Sequence, residues 1–328
     1  MINNSNNCIA VVIPSFRVVR HILDVLAKIG PEVSLIYVVD DKCPDQSGRF
    51  VRDNCNDPRV TVIFHEENRG VGGAVMTGYD AAARAGATII VKVDGDGQMD
   101  PRLIPHFVAP ILAGEADYTK GNRFYNLDKI RKMPPLRLFG NAVLSLITKF
   151  STGYWNVFDP TNGYTAIHLT AAKQLPSTKI SNRYFFESDM LFRLNTIRAV
   201  VIDVPMDAVY DDEVSNLKIT KVITEFFAKH LINFFKRLLY NYYLRNMSIA
   251  SIELPLGLTL IFYGSIFGAY HWFKSASAGI ATPIGTVMLA TLPILLGTQL
   301  ILAFLAYDIS SIPTRPLQRV YLPALLNG

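Results

Sequence analysis

The sequence is poor in charge, and the shortage is concentrated near its C-terminal end. Charged residues make up 18% and hydrophobic residues 50% of the 328 residues, against about 25% and about 45–50% in typical soluble domains. Two stretches, 254–273 and 283–307, contain no Asp, Glu, Lys or Arg. Each reaches the roughly 20 residues that a membrane-spanning helix needs. The pattern predicts two transmembrane helices; the alternative is two buried helices of a soluble core.

Cysteine is also scarce. The chain has three cysteines, Cys8, Cys43 and Cys55, an odd number without C-x-x-C spacing. This excludes a disulfide framework and indicates reduced, cytoplasmic thiols. The first apolar run, at 8–13, is too short for the core of a signal peptide. We therefore expect the N-terminal part to stay in the cytoplasm.

Positive charge is gathered in one segment. The net charge is +5, and the segment 218–245 has an excess of that size, because Glu225 is the one acidic residue there against six basic ones: Lys218, Lys221, Lys229, Lys236, Arg237 and Arg245. The rest of the chain is nearly neutral, which argues against a nucleic-acid partner. Basic, aromatic and amphipathic, the segment predicts a helix in the membrane interface, facing an anionic lipid bilayer. The alternative is a helix packed on a soluble domain.

The distribution of basic residues also predicts the orientation of the two spans. The loop 274–282 carries Lys274 alone, whereas the tail after the second span carries Arg315 and Arg319. Basic residues accumulate on the cytoplasmic side of membrane proteins. We therefore expect an integral membrane protein whose catalytic domain and both termini are cytoplasmic.

Residues 8–210 alternate apolar runs with segments of helical spacing. The apolar runs predict strands at 9–13, 35–39, 60–64 and 88–93, and the helical spacing predicts helices at 21–29 and 73–85. This alternation is typical of βαβ units and a parallel sheet. Ligands of such sheets bind at the carboxyl ends of the strands. The polar segments 14–17, 40–41 and 94–96 fall at those ends.

The segment 94–98, Asp-Gly-Asp-Gly-Gln, follows the fourth predicted strand. Hard divalent cations prefer oxygen ligands, and Mg²⁺ usually binds one or two carboxylates together with substrate phosphates. Asp94 and Asp96 therefore predict a site for a metal ion and a diphosphate; an Asp-Gly turn is the alternative. A calcium EF-hand is excluded, because its sixth and twelfth positions need Gly and Glu and here are Met99 and Pro105.

These motifs stand in the order found in family 2 glycosyltransferases, and residues 8–217 resemble the catalytic domain of that family. With two spans, the chain resembles its polyprenyl-phosphate glycosyltransferase or dolichyl-phosphate mannose synthase-like branch. The resemblance implies an α/β fold: a GT-A, Rossmann-like domain with a mostly parallel sheet, then an amphipathic interface helix and two transmembrane helices. The implied segments are the catalytic domain at 1–217, the juxtamembrane helix at 218–247, the transmembrane region at 248–312 and a cytoplasmic tail at 313–328.

The resemblance implies a set of nucleotide-binding residues. Residues 12–16 resemble the V-I-P-x-Y/F element that lines the base pocket, although Arg17-Val18 replaces the usual Asn-Glu. Residues 38–45 resemble V-D-D-x-S-x-D, and residues 68–78 resemble N-x-G-x-x-x-A-x-x-x-G. The implied contacts are Pro14, Phe16, Asp40, Asp41, Asn68, Gly70, Gly72 and Asp94. A helix N-cap remains the alternative for Asp41, and a simple turn for the glycines.

The resemblance also implies metal-binding and catalytic residues. Residues 94–98 resemble D-x-D-x-Q, so Asp94, Asp96 and Gln98 would bind Mg²⁺ or Mn²⁺. Residues 121–123 resemble G-S-R, and residues 159–164 resemble a D-x-x-x-G segment beside the reaction centre. The implied catalytic residues are Asp159, Arg123 and Asp96. An Asp-Pro turn is the alternative for Asp159.

The basic segment after residue 123 is expected to meet the acceptor. Arg123, Arg131 and Arg137 stand among apolar residues, and the arginine fork matches phosphate geometry. They predict a lipid-phosphate site; a solvated basic loop is the alternative. The acidic segment 186–189 and the segment 210–217 resemble, less specifically, the family's acidic helix and closing loop.

The implied reaction is inverting transfer of a hexose, first of all from UDP-glucose, to undecaprenyl or dolichyl phosphate in a bacterial or archaeal inner membrane. A GDP-mannose-dependent mannosyltransferase is the main alternative. A processive synthase would need a Q-x-x-R-W motif and more spans, and the sequence has neither. A nucleotidyltransferase would need a Gly-rich loop after the first strand, where this chain has Pro14-Ser15-Phe16. A non-catalytic membrane scaffold is the alternative from another class. The two spans and the interface helix are compatible with a homo-oligomer.

Overall fold

The computed structural model describes residues 7–125, 130–131, 135–207 and 219–320. The chain forms two compact units, one made of residues 1–234 together with 313–328 and the other of residues 235–312. These bounds differ from the predicted segments. The C-terminal segment belongs to the first unit, and the division falls inside the predicted juxtamembrane helix.

The first unit is built on a seven-stranded sheet in the order β3-β2-β1-β4-β6-β5-β7. The strands are β1 Ile9–Ser15, β2 Leu35–Asp40, β3 Val60–Phe64, β4 Ile89–Lys92, β5 Tyr118–Asn122, β6 Thr165–His168 and β7 Val201–Pro205. The four strands predicted from apolar runs are confirmed. Strands β1 to β4 form parallel pairs. Strand β6 runs antiparallel to both β4 and β5, and β7 is parallel to β5, so the sheet is the mixed, mostly parallel α/β sheet that was expected.

The strand directions gather the polar segments at one edge of the sheet. Strands β1, β2, β4 and β5 all end at this edge, and the reversed β6 begins there. Residues 16–17, 41–47, 94–98, 123 and 159–164 therefore meet at the same edge. The strand order changes direction between β1 and β4. From β1 the chain proceeds to β2 and β3 on one side, and it then crosses to β4 on the other side of β1. Such a switch point opens a crevice in which α/β proteins bind ligands.

Helices surround the sheet and complete the two units. They are α1 Ile22–Ala27, α2 Ser47–Asn54, α3 Gly70–Arg84, α4 Ile104–Leu112, α5 Pro135–Thr152, α6 Leu169–Gln174, α7 Phe186–Thr196, α8 Ile219–Leu239, α9 Ala250–Ala278 and α10 Ile284–Ser310. Short 3₁₀ turns occur at Pro101–Leu103 and Ser177–Lys179. The residues of β1 and β4 are almost all buried, because helices cover both faces of the sheet. Gly78 lets α3 approach closely, because a Cβ there would collide with Val12.

The C-terminal segment is fastened to the first unit by a buried carboxylate. Asp117, at the start of β5, accepts hydrogen bonds from the backbone N–H of Val200 at 2.8 Å, Leu317 at 2.9 Å and Gln318 at 3.3 Å. The Gln318 amide donates to the carbonyl groups of Ile111 and Ala116. The chain therefore leaves the first unit at residue 234 and re-enters it at residue 313.

Replacing Asp117 with Ala should destabilise the first unit strongly. The substitution leaves three buried N–H donors without their charged acceptor, and each such loss costs about 1–3 kcal/mol. We expect the melting temperature of the purified protein to fall by about 6 °C or more. Asp53→Ala is the control, because that carboxylate is exposed. An Asp117→Ala variant that melts with the control would show that the tail is not held by this contact.

Helix α8 packs on the first unit through two polar side chains, His230 and Asn233, beside the aromatic Phe226 and Phe234. In the first unit, His230 Nδ1 lies 2.7 Å from the Ser151 hydroxyl, and the Asn233 amide donates to Asp189 at 3.2 Å. On the other side of the helix Phe227, Leu231 and Ile232 are 57%, 45% and 51% exposed. The predicted helix 218–245 is thus observed as α8 followed by a π-helical turn at Tyr240–Arg245.

The second unit contains the two longest helices, α9 and α10. Both are long and apolar enough to cross a membrane. They pack closely through small residues: a Cβ on Gly257 would lie 2.9 Å from the Gly297 carbonyl, and one on Gly264 would lie 2.5 Å from that of Ala290. Small residues at such a contact are typical of helix pairs in membranes. A buried ion pair between Arg237 and Asp308, at 2.6 Å, ties the end of α8 to the end of α10.

Candidate functional site

The loops after β1 and β2 are joined by a cysteine. The Arg17 backbone N–H donates to Cys43 Sγ at 3.0 Å, and the same sulfur lies 3.0 Å from the Ser47 hydroxyl. Arg17 and Lys42 adopt left-handed backbone conformations, with φ of 61° and 52°, which non-glycine residues tolerate only where the surroundings enforce them. The sequence carried no signal for this role of Cys43.

Phe16 and Pro14 keep positions in which they can meet a ligand. Phe16, which directly follows β1, is 42% exposed, and the Arg17 guanidinium carbon lies 5.5 Å from the centre of its ring. Pro14 is partly exposed in β1. The aromatic surface offered by Phe16 suits a stacked base, as the resemblance implied.

The carboxylates of Asp40 and Asp41 accept hydrogen bonds from backbone N–H groups of the protein. Asp40 accepts the backbone N–H of Cys43 at 2.8 Å and of Gly48 at 2.6 Å, and so fixes the start of α2. Asp41 is buried; its carboxylate accepts the N–H of Arg69 at 2.8 Å and of Gly70 at 2.7 Å. The alternative of an N-terminal helix cap thus describes most of what these carboxylates do in the structure. Their contact with a nucleotide stays a prediction.

The glycine segment is likewise engaged within the chain. The Asn68 amide donates to the Asp41 carbonyl at 3.1 Å, and Gly72 N–H donates to the Asn182 carbonyl at 2.8 Å. Gly70 has a φ of +83°, and a Cβ there would lie 2.5 Å from the same carbonyl. The backbone N–H groups of Gly70 and Gly72, which the resemblance implied as nucleotide contacts, therefore donate to protein oxygens in this structure.

The loop 94–98 lies at the centre of the edge. Asp94, Asp96 and Gln98 are partly exposed, and the Gln98 backbone N–H donates to Asp96 Oδ1 at 3.0 Å. Asp94 Oδ1 lies 2.9 Å from the ammonium of Lys92, the last residue of β4. One oxygen of Asp94 is thus held by the protein, while the loop presents the Asp96 and Gln98 side chains.

The oxygens of this loop suit a hard divalent cation. Carboxylate and amide oxygens are the ligands that Mg²⁺ binds, and this ion commonly takes one or two carboxylates and completes its shell with substrate phosphates and water. No group of three or more His, Cys, Asp and Glu side chains that could hold a metal occurs among the residues that the structure describes. The donor set therefore fits a cation bound jointly with a diphosphate.

Arg123 and Asp159 form a two-pronged ion pair. Arg123 Nε donates to Asp159 Oδ2 at 2.7 Å and Nη2 donates to Oδ1 at 2.9 Å, while the Arg123 backbone N–H also reaches Oδ2 at 3.2 Å. Asp159 is buried and the guanidinium is partly exposed. Two of the three residues that we predicted to be catalytic, Arg123 and Asp159, are thus brought together, and the carboxylate orients the guanidinium.

Gly163 brings the loop 159–164 against the metal-motif loop. A Cβ on Gly163 would collide with the Lys92 ammonium and would lie 2.6 Å from Asp94 Oδ2. Only a residue without a side chain fits at this contact. The predicted site residues Asp94 and Asp159 therefore belong to one constellation, which consists of the loops 94–98 and 159–164 together with Arg123.

Beneath the two loops a polar row crosses four strands. The sheet register pairs Lys92 with Thr165, Thr165 with Lys120, and Lys120 with Asp203. Residues paired in this way point to the same face of a sheet. Both lysines are fully buried, and Lys120 Nζ donates to the Asn162 carbonyl at 2.5 Å. Sequence reasoning missed this row, although a lysine inside an otherwise apolar strand is a readable signal for it.

Burial changes the ionisation of two members of the row. It lowers the pKa of Lys120 to about 8, an effect that the charges of Glu187 and Asp159 oppose. It raises the pKa of Asp203 to about 6, against the stabilising hydrogen bond from the Phe158 N–H and the charge of Lys120. Both groups therefore titrate closer to neutral pH than they would in water.

The raised pKa of Asp203 predicts a pH dependence of stability. The folded protein binds more protons than the unfolded chain between pH 3.8 and about 6, so Asp203 makes stability fall as pH rises through that window. Asp203→Asn removes this dependence. The free energy of unfolding of the variant minus that of the wild type should therefore be larger at pH 7 than at pH 4, by on the order of 2 kcal/mol. Urea unfolding at both pH values measures the difference; equal differences would contradict the assignment.

The structure describes the other predicted acceptor residues only in part. Arg131 is exposed. Arg137 lies in α5, and its side chain falls outside the described residues, as do the rest of the basic loop and the predicted closing loop at 210–217. In the acidic segment, Glu187 Oε1 lies 3.4 Å from the Lys92 ammonium, and Asp189 pairs with Arg193 at 3.1 Å. Of the predicted acceptor residues, Arg123 is thus attached to the constellation through Asp159.

Comparison with known proteins gives a consistent set of relatives. The family model described as glycosyl transferase family 2 matches residues 10–175. The UDP-N-acetylglucosamine–dolichyl-phosphate N-acetylglucosaminyltransferase of Methanococcus voltae is 30% identical over 222 residues, which are 63% of this chain and 88% of that protein. The undecaprenyl-phosphate mannosyltransferase of Micrococcus luteus is 27% identical over 199 residues, 60% of this chain and 81% of that one.

Among solved structures, glucosyl-3-phosphoglycerate synthase from Mycobacterium tuberculosis, in complex with Mn²⁺, UDP and glucosyl-3-phosphoglycerate, superposes with a TM-score of 0.51. The match covers 70% of this chain and 80% of that one at 18% sequence identity. At this identity the similarity establishes the shared fold.

Proposed function

Because the chain belongs to glycosyl transferase family 2, we propose that it transfers a hexose from a nucleotide sugar to a polyprenyl phosphate, with UDP-glucose as the first donor to test. Family membership makes the chain a glycosyltransferase, which sets aside the non-catalytic scaffold and the nucleotidyltransferase. The acceptor class is supported by the names of the Methanococcus voltae and Micrococcus luteus relatives, which act on dolichyl and undecaprenyl phosphate.

One observation carries the proposal: the loop 94–98 and the Arg123–Asp159 pair lie at the same edge of the sheet, joined by Gly163. The loop offers oxygen donors that suit a metal-bound diphosphate. The guanidinium offers a planar fork for an acceptor phosphate. A donor diphosphate and an acceptor phosphate are the two ligands that the proposed reaction brings together.

In the proposed reaction an oxygen of the acceptor phosphate forms a bond to the anomeric carbon of the donor. The bond between that carbon and the nucleotide diphosphate breaks, and the diphosphate leaves with the electron pair. The second pKa of a phosphomonoester is about 6, so the acceptor is largely ionised at neutral pH. The chain therefore needs no general base, and Asp159 serves by orienting Arg123 toward the incoming phosphate.

Asp96 and Gln98 would hold the divalent cation, Mg²⁺ or Mn²⁺, with Asp94 beside them. Such an ion supplies charge stabilisation to a leaving diphosphate. The remaining contribution of the chain is alignment: Arg123 places the acceptor phosphate, and Phe16 offers a stacking surface for the base.

We propose further that the protein is a membrane protein. Helices α9 and α10 qualify as spans by length and composition, and they expose large apolar side chains such as Phe262, Trp272 and Leu295. The apolar side of α8 is also exposed. Because the chain returns to the first unit after α10, two spans would form a hairpin with both flanking ends on the catalytic side. Basic residues near those ends favour the cytoplasmic side.

A mannosyl donor is the second candidate. The Micrococcus luteus relative is named a mannosyltransferase, whereas the name of the Methanococcus voltae relative contains UDP-N-acetylglucosamine. The replacement of the usual Asn-Glu by Arg17-Val18 beside Phe16 removes the part of the motif that would favour one base. The donor is therefore the first variable to screen.

The test is a transfer assay with the purified full chain, undecaprenyl phosphate and Mg²⁺ or Mn²⁺. Labelled UDP-glucose, UDP-galactose, UDP-N-acetylglucosamine and GDP-mannose are compared by the label that enters the organic phase, with dolichyl phosphate and 3-phosphoglycerate as other acceptors. We expect lipid-soluble label from one donor, abolished by EDTA. Label that stays in the aqueous phase on 3-phosphoglycerate would overturn the lipid acceptor.

A further inference from the structure

Lys92 is a charged residue for which the reaction as proposed has no role. Its side chain is 1% exposed, and an ammonium ion taken out of water loses several kcal/mol of hydration. A buried lysine persists where carboxylates compensate this loss. The compensation here comes from two side chains at the site: Asp94 Oδ1 at 2.9 Å and Glu187 Oε1 at 3.4 Å.

The position of Lys92 connects three parts of the site. It ends β4, two residues before Asp94, and its ammonium reaches Glu187 on α7. Gly163 lies so close that a Cβ there would collide with the same ammonium and would lie 2.6 Å from the second oxygen of Asp94. Asp94 is therefore fixed on one side by a charge and on the other by the backbone of the loop 159–164.

A comparison with Lys120, the other buried lysine of the polar row, shows what distinguishes Lys92. The ammonium of Lys92 is paired with two carboxylates, those of Asp94 and Glu187. Its neighbour Lys120 meets a backbone carbonyl at the site, and its pKa is lowered. The two lysines thus differ in what they touch: Lys92 contacts the metal-motif carboxylate, and Lys120 contacts the backbone below Asp159.

We propose that Lys92 is a positioning residue for the donor: its ammonium holds the Asp94 carboxylate in the orientation in which Asp94 receives the nucleotide sugar. The inference rests on the proposed function, because it assumes that a nucleotide binds at the loop 94–98. Lys92 does not touch the donor; it acts through Asp94. Glu187 supplies the second negative charge that keeps the ammonium stable in the interior.

A double-mutant cycle on donor binding tests this assignment. The dissociation constant of UDP is measured by calorimetry on the full chain, with Mg²⁺ present, for the wild type, Lys92→Met, Asp94→Asn and the double variant. We expect Lys92→Met to weaken UDP binding by about tenfold or more in the wild-type background. In the Asp94→Asn background, where the oriented carboxylate is absent, the same substitution should change binding by less than about twofold.

Two further variants keep the test informative if Lys92→Met folds poorly. Lys92→Met combined with Glu187→Gln removes one buried carboxylate together with the ammonium, and should fold while binding UDP as weakly as Lys92→Met. Lys92→Arg keeps the cation and should recover part of the affinity. Lys149→Met is the matched control: this partly buried lysine donates to the Trp155 carbonyl at 2.6 Å and has no contact with Asp94, so UDP binding should be unchanged.

The outcomes separate this inference from the proposed function. Wild-type protein that binds UDP, with Lys92→Met weakening it by the same factor in both backgrounds, would overturn the positioning role and leave the proposed function intact. A Lys92→Met variant that binds like the wild type would do the same. Wild-type protein that binds neither UDP nor GDP would overturn the proposed function, and the inference with it.

Discussion

Asp96→Ala is expected to lower turnover by at least about 100-fold, which corresponds to roughly 2.7 kcal/mol of barrier. Asp96 is the second carboxylate of the loop 94–98, and its side chain is partly exposed. Without it the cation that we propose to neutralise the leaving diphosphate loses its charged protein ligand. Initial rates of label transfer at saturating donor and metal measure the effect.

The control for Asp96 is Asp100, four residues further along the same segment. Its carboxylate pairs with Arg102 at 2.8 Å rather than with any part of the constellation. Asp100→Ala should keep turnover within about threefold of the wild type. Near-normal turnover of a folded Asp96→Ala variant would show that the metal assignment is wrong.

Asp159→Asn is expected to lower turnover by about 100-fold or more as well, with UDP binding little changed. The buried Asp159 carboxylate accepts two hydrogen bonds from the Arg123 guanidinium. An asparagine offers a single acceptor oxygen and no charge, so the guanidinium loses both its orientation and its partner. Donor binding should survive, because the Asp159 carboxylate is engaged by Arg123 and lies outside the loop 94–98.

Asp57 provides the matched control for Asp159. It also binds an arginine by two prongs, with Arg59 Nε at 3.0 Å and Nη2 at 2.7 Å, but it precedes β3 and so lies at the opposite edge of the sheet. Asp57→Asn should affect stability and leave turnover within about threefold. If Asp159→Asn proved as active as Asp57→Asn, the Arg123–Asp159 pair would be a structural feature and the acceptor site would lie elsewhere.

Much of the fold could be predicted because its signals are local. The strands at 9–13 and 35–39 are short apolar runs between turn residues, and such runs are what a buried parallel strand requires. The position of the loop 94–98 followed from the same rule, since strand ends collect at one edge. The two long apolar helices were equally readable, because length and lack of charge suffice to indicate them.

The partners of individual side chains could not be predicted, because they depend on contacts between distant segments. Asp41 and Gly70 were assigned to a ligand, yet the structure joins them to each other. The Lys92–Glu187 pair joins residues 95 positions apart. A one-dimensional pattern shows which residue types are present at a strand end, but the register of the sheet and the packing of α7 decide which of them meet.

The segment 218–245 illustrates the same limit for amphipathic helices. The sequence indicated an amphipathic helix, but it could not show which of its side chains would pack on protein. In the structure His230 and Asn233 face the first unit, whereas Phe227 and Leu231 are exposed. The polar side finds specific hydrogen-bond partners in Ser151 and Asp189, and the apolar side is left for another apolar surface, which we propose is the bilayer.

The most direct test of the central claim is the mass of the lipid product. Purified full-length protein is incubated with undecaprenyl phosphate, Mn²⁺ and the nucleotide sugar that gives the highest label transfer, and the lipid and nucleotide fractions are analysed by mass spectrometry. The account predicts a polyprenyl phosphate enlarged by one hexosyl group, together with an equal amount of released nucleoside diphosphate, and neither product with Asp96→Ala. Unmodified lipid beside released diphosphate and free sugar would contradict it.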